Sequence, residues 1–222
     1  MNRTAFFAAL LLLPSTAFAA DWQDRLNDAL SAGWEQHKDA WTALETIEPR
    51  MTRAGHLRFN HPDMLKDSAV PLVLDRLVRG EDPEPVRAAL ADVFGRHADG
   101  WGDALVEVLA EEPSSAVRAT LVYGLRHVDA EFAEAGFTVA FADVSSNVRA
   151  EAARVAARRA DASVVPTLPS LLADDSAEVR LEALRAAAVL GDAQLIPAAE
   201  GLVADPDPIV RKAAVRTVER LR

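Results

Sequence analysis

Apolar residues recur at helical spacing along the last two-thirds of the chain, and the pattern itself repeats. The dipeptide Val-Arg stands at Val86-Arg87, Val117-Arg118, Val148-Arg149, Val179-Arg180 and Val210-Arg211, with the same interval between each pair and the next. Four and eight residues after each Val the chain is apolar: Leu90 and Phe94, Leu121 and Leu125, Ala152 and Ala156, Ala183 and Ala187, Ala214 and Val218. That spacing makes one buried stripe on a helix. Five residues before each Val lies an acid, Glu81, Glu112, Asp143, Asp174 or Asp205, so the preceding turn repeats as well. Pro83, Ser114, Ser145, Ser176 and Asp207 mark the helix starts. An earlier helix in each unit places Val78, Leu109, Ala140, Leu171 and Leu202 at matching positions; in the fourth unit the two pieces read VVPTLPSLLAD and DSAEVRLEALRAAAVLG. A pair of short helices cannot bury both stripes alone, so neighbouring units must stack. The pattern predicts five 31-residue two-helix units, 68–98, 99–129, 130–160, 161–191 and 192–222, forming an all-α solenoid.

Upstream of the repeats the pattern changes. Trp22, Leu26, Leu30, Trp34, Trp41 and Leu44 fall at spacings of three, four and seven, which predicts a long amphipathic helix over 21–48. Within the segment 21–67 it is expected to cap the open apolar end of the first unit. From Pro49 to Lys66 the period fails, because Gly55-His56 occupies the place of a Val-Arg; a degenerate half-repeat or a loop fits there. Residues 1–20 read as a cleavable signal peptide: Arg3 precedes AFFAALLLLP, and Ala17-Phe18-Ala19 ends the segment, with the cut after Ala19 or Ala20. The apolar run is too short to span a bilayer and no second one follows, so no membrane insertion is expected after cleavage. The expected location is periplasmic or secreted. There is no Cys, so core packing alone must hold the fold.

The formal net charge is −10, a poor balance for general nucleic-acid binding. Lys occurs only at Lys38, Lys66 and Lys212; nearly all basic residues are Arg. No elbow around a nucleophilic Ser, phosphate loop or His-Glu-x-x-His motif is present. His56 and His61, five residues apart and followed by Asp63, depart from zinc-site spacings, and His97 and His127 are dispersed. No cofactor, metal site or catalytic residue is therefore assigned.

The motif of Asp, five residues, Val-Arg and then Ala and Leu, seen in D-D-S-A-E-V-R-L-E-A-L and D-P-D-P-I-V-R-K-A-A-V, resembles the HEAT repeats, especially the short variety of phycobilisome lyase-like proteins. The resemblance covers roughly the last two-thirds of the chain. It implies a right-handed α-solenoid of HEAT-like repeats whose Val-Arg helices line the concave face. It also implies that the acids, Asp143, Asp174 and Asp205 among them, pair with Arg87, Arg118, Arg149, Arg180 and Arg211 as a structural ladder within and between units. The motif is specific for fold and not for function, and a bilin-handling activity does not suit an exported protein.

What varies between units is the place to look for a role. Six residues after each Val stand Asp92, Tyr123, Arg154, Arg185 and Arg216; ten after it stand Arg96, His127, Arg158, Val189 and Arg220. The last three units thus carry an Arg ridge on a chain that is acidic overall. Tyr123, His127, Arg154, Arg158, Arg185, Arg216 and Arg220 are the candidate partner-binding residues, suited to an acidic peptide because guanidinium forks hold carboxylates at two points. Against this, Glu151 and Glu182 precede Arg154 and Arg185 by three residues and can neutralise them as ordinary helical ion pairs. The expected role is an exported protein-protein interaction scaffold. The alternatives are a structural homo-oligomer, with a homodimer through the terminal helices, and a lyase or metal-dependent enzyme of the cell envelope.

Overall fold

A computed structural model describes residues 70–222. The signal peptide (1–20), the expected N-terminal cap and irregular segment (21–67), His56, His61 and the first two residues of the first unit lie outside the described residues. Among those described, every regular element is helical. The helices are α1 (Val70–Arg79), α2 (Glu84–Arg96), α3 (Gly102–Glu111), α4 (Ser115–Gly124), α5 (Ala130–Phe141), α6 (Ser146–Arg159), α7 (Leu168–Leu172), α8 (Ala177–Leu190), α9 (Ile196–Gly201) and α10 (Pro208–Leu221). Two compact units divide between His97 and Ala98.

In the first unit, α1 and α2 form a hairpin closed by Val73, Leu74 and Leu77 against Leu90 and Phe94, all buried. Val78, expected in this seam, is half-buried, and Leu77 takes the inner place. In the second unit the later helix of each pair packs beside its successor, α4 on α6, α6 on α8 and α8 on α10. The earlier helices form the other layer, α3 on α5 and α7 on α9. Residues 98–222 are thus an α-solenoid. The Val of every Val-Arg pair is buried, as are all ten stripe positions four and eight residues after it. N-caps fall on Pro83, Ser114, Ser145, Ser176 and Asp207, one at the same place in every repeat.

Local chemistry explains where units differ. Pro166 and Pro169 lack backbone N–H groups, and α7 shrinks to five residues after a 3-10 turn at Ala162–Val164. Asp161 starts that turn by accepting from the Ser163 amide, as Asp192 does from Gln194 one unit later. Gly124 stands seven residues after its Val, where α6 and α8 have Val155 and Ala186, and α4 ends there, four residues sooner after its Val than they do. The carbonyls this frees at Leu125 and Val128 are taken by Arg159 NH1, reaching back from the end of α6 at 2.8 and 3.1 Å.

The arginine ladder has one geometry in three successive rungs. Arg118 donates from Nε and NH2 to the Asp143 carboxylate at 2.6 and 2.8 Å, Arg149 to Asp174 at 2.7 and 2.9 Å, and Arg180 to Asp205 at 2.7 and 2.9 Å. The remaining NH1 of each turns to its own unit, as in Arg180 to the Asp174 and Asp175 carbonyls. Each carboxylate also accepts the amide two residues on, at Ser145, Ser176 or Asp207, which holds the turn before the next helix. Burial opposes ionisation of Asp143, but the Arg118 hydrogen bonds, the Ser145 amide and the nearby guanidinium charges outweigh it and hold the carboxyl below its usual range. The bonds from Arg149 and Arg180 do the same for Asp174 and Asp205 against burial.

Two ends of the ladder differ. In the first unit Glu81, expected as the acid, is exposed, and the carboxylate used is that of Asp82. The cause is Arg76 on α1, a position held by Glu107, Thr138, Pro169 and Glu200 in later units; its Nε donates to Asp82 at 2.9 Å, and Arg87 donates to the Asp82 carbonyl. At the other end, Arg211 NH1 bonds the Asp205 and Pro206 carbonyls, while its Nε and NH2 meet no acid among the described residues.

Candidate functional site

The second-helix layer presents the varying positions side by side, because helices of one repeat length packed in register bring equivalent residues to about 10 Å of each other. Tyr123 lies on α4, Arg154 and Arg158 on α6, Arg185 and Val189 on α8, and Arg216 and Arg220 on α10. Their charge is not distributed as the bare ridge suggests. Arg154 pairs with Glu151 on its own helix and reaches across to α8, where NH2 lies 3.3 Å from Glu182 and 3.6 Å from Glu178. Arg185 donates to the same Glu182 oxygen at 2.5 Å. The Glu182 side chain is 6% exposed, a carboxylate buried between two guanidiniums of adjacent units. Burial disfavours the Arg154 charge, but Glu151 and Glu182 outweigh it and raise its pKa. Three acids thus face two arginines here, and this stretch of the ridge is electrically closed.

The C-terminal part is different. Arg158, Arg216 and Arg220 are exposed. Arg185 is 58% exposed despite its ion pair, and Val189, 48% exposed, is a large apolar side chain among these arginines. Ile209, also exposed, extends the patch at the start of α10. At the N-terminal edge Tyr123 is half-buried and His127 exposed, their rings 6.4 Å apart. The Arg126 guanidinium stacks 4.7 Å over the Tyr123 ring. In the first unit the equivalent Asp92 and Arg96 bind one another at 2.7 Å.

Three participants do not stand out in the sequence pattern: Arg126, Arg159 and the cross-unit reach of Glu182. The last has a legible signal. Glu182 follows Arg154 by three positions less than one repeat, so it lies one turn before the Arg154 position on the neighbouring helix. Among the described residues no group of three His, Asp or Glu side chains is arranged to hold a metal ion, and no helix is long and apolar enough to cross a membrane.

Residues 133–219 match the family model for HEAT repeats. This stretch holds the rungs from Arg149 and Arg180 and most of the Arg ridge. Among solved structures, a designed armadillo repeat protein in complex with the peptide (KR)4 superposes with a TM-score of 0.51 at 17% identity, covering 90% of this chain and 99% of that one. An engineered protein aligns at a TM-score of 0.47 and 22% identity over 96% and 94% of the two chains. Human deoxyhypusine hydroxylase aligns at 0.42 and 16% identity over 100% and 91%. The first likeness shows the repeat-solenoid fold. No curated protein matches the sequence.

Proposed function

We propose that the chain is an exported protein-interaction scaffold that holds an extended, acidic segment of a partner along the concave face of its second-helix layer. The observation that carries this reading is the exposure of Arg158 on α6, Val189 on α8 and Arg216 and Arg220 on α10, where the repeat register sets Val189 between Arg158 and Arg220. Such a surface binds a carboxylate beside an apolar side chain: guanidinium forks supply two-point contacts, and Val189 gains from being covered. The closed cluster around Glu182 sets a limit to the anion-binding stretch and fixes its register toward the C-terminal units. Export rests on the signal-like residues 1–20. Repeat solenoids offer long grooves to extended chains, and the designed armadillo repeat protein is a solenoid bound to a peptide, there a basic one.

The test uses a labelled peptide of alternating Glu and Val titrated against the purified protein and a variant carrying Arg158→Glu, Arg216→Glu and Arg220→Glu. The variant should keep its helical circular dichroism and bind at least about tenfold more weakly, with wild-type binding weakened by salt. Equal binding by the two proteins, or no binding by the wild type, would remove the acidic-segment reading.

A further inference from the structure

Three exposed side chains occupy one position of the repeat. Ten residues after the Val of their units stand Arg158 on α6, Val189 on α8 and Arg220 on α10. Arg158 and Val189 are each followed by a further packed unit and stay exposed, so the open side belongs to the position itself. The step from unit to unit is constant: Arg149 meets Asp174 at 2.7 and 2.9 Å, and Arg180 meets Asp205 at the same distances one unit later. The lateral register is pinned close to this row. The Thr217 hydroxyl on α10 donates to the Leu184 carbonyl on α8 at 3.3 Å, which sets the seventh and fifth positions after the two Val residues side by side. Neither Arg158 nor Arg220 is held in an ion pair with another described residue. Glu219, next to Arg220, is turned about 100° around the helix from it.

Helices packed in this register place neighbouring side chains of the row about 10 Å apart. A chain in the polyproline II conformation rises about 3.1 Å per residue with three residues per turn, so every third side chain returns to one side after about 9 Å. A β-strand returns a side chain to the same side after about 7 Å, which falls short by about 3 Å at each step and by about 6 Å from Arg158 to Arg220. Long arginine stems can follow such a drift, but the short Val189 cannot. The described wall is helical throughout and offers no strand edge whose backbone could reward a β-strand with ladder bonds.

We propose that the row of Arg158, Val189 and Arg220 selects a partner segment in the polyproline II conformation that carries an acid, an apolar residue and an acid at every third position. This rests on the acidic-segment reading above and gives that segment its spacing. Arg158 and Arg220 each hold one carboxylate, and Val189 covers the apolar side chain between them. A segment already in this conformation gives up little backbone freedom on binding. The alternating Glu and Val peptide also satisfies the row, because its first, fourth and seventh residues are Glu, Val and Glu.

Fluorescence anisotropy with two labelled peptides of one composition tests the spacing. Glu-Pro-Ser-Val-Pro-Ser-Glu has the three-residue interval, and Glu-Pro-Val-Pro-Glu-Ser-Ser the two-residue interval. Wild-type protein should bind the first at least about fivefold more tightly than the second. Val189→Arg, at an exposed position, should keep the helical circular dichroism and reverse the choice at the centre, binding Glu-Pro-Ser-Glu-Pro-Ser-Glu at least about fivefold more tightly than the Val-centred peptide. Equal or tighter binding of the two-residue interval, or a Val189→Arg protein that keeps the wild-type preference, would overturn the proposal while leaving the acidic-segment reading in place. So would failure of both spaced peptides to bind when the alternating Glu and Val peptide still does; loss of all three would remove both readings.

Discussion

Replacing Arg180 by Met removes the charge of one ladder rung while keeping most of the apolar stem that packs along the helix. The structure sets the size of the effect. Arg180 makes two charge-assisted bonds to Asp205 and two bonds to the carbonyls of its own turn, and the Asp205 side chain is 2% exposed. Without the guanidinium, a buried carboxylate is left with the Asp207 amide alone. Removing one member of a buried pair costs about 3–5 kcal/mol, and because Arg180 retains some contact with water we place this case near about 3 kcal/mol. Arg211 supplies an internal comparison: it has the same two carbonyl bonds and no acid, so Arg211→Met should cost about 1 kcal/mol. The assay is urea unfolding of both variants and wild type at pH 7, reading midpoints at unchanged slope. The expected gap of about 2 kcal/mol corresponds to roughly a thirtyfold difference in the unfolding equilibrium. If the two losses agree within about 0.5 kcal/mol, the rungs contribute only their carbonyl bonds and the argument fails.

Two further outcomes follow from the same geometry. Asp143, Asp174 and Asp205 have folded pKa values below their unfolded ones, so the stability they lend is complete above the ordinary carboxylate range, about pH 4, and is lost as pH falls through the lowered folded values. Thermal midpoints should stay level from about pH 7 to 5 and drop below about pH 4, less steeply in Asp205→Asn than in wild type; a main drop above about pH 6 would contradict this. Ala160 ends α6 in the left-handed conformation at φ 51°, where Gly191 ends α8 one repeat later at φ 68°. Ala160→Gly should raise stability by about 0.5–1 kcal/mol in chemical unfolding, and a lowered midpoint would show that the strain is absent.

Much of the fold is legible because a repeat averages out local ambiguity. One Val followed by Ala at positions four and eight is weak evidence for a helix, but the same spacing five times over fixes helix, turn and partner face together. Where a unit departs from the others the pattern says less. Arg76 diverts the first acid from Glu81 to Asp82, and nothing in the Val-Arg register announces an arginine on the preceding helix. Spacing along a single helix gives the i,i+3 pairs of the ridge, but the bond from Arg154 to Glu182 is legible only when that spacing is combined with the repeat register and lateral packing. Arg159 is inconspicuous for a related reason: its role depends on Gly124 ending a different helix.

The polarity of the ladder has a consequence for how the chain assembles. Arg118, Arg149 and Arg180 are each held by carbonyls of their own turn and reach forward to an acid in the next unit. A unit that has formed therefore offers its successor a fixed cation, and the carboxylate it captures is the one that shapes the successor's turn through the Ser145, Ser176 or Asp207 amide. Growth toward the C-terminus adds a turn onto a waiting template, whereas growth toward the N-terminus must order an arginine and its turn at once. The zipper thus runs most easily in the direction in which a ribosome delivers the chain.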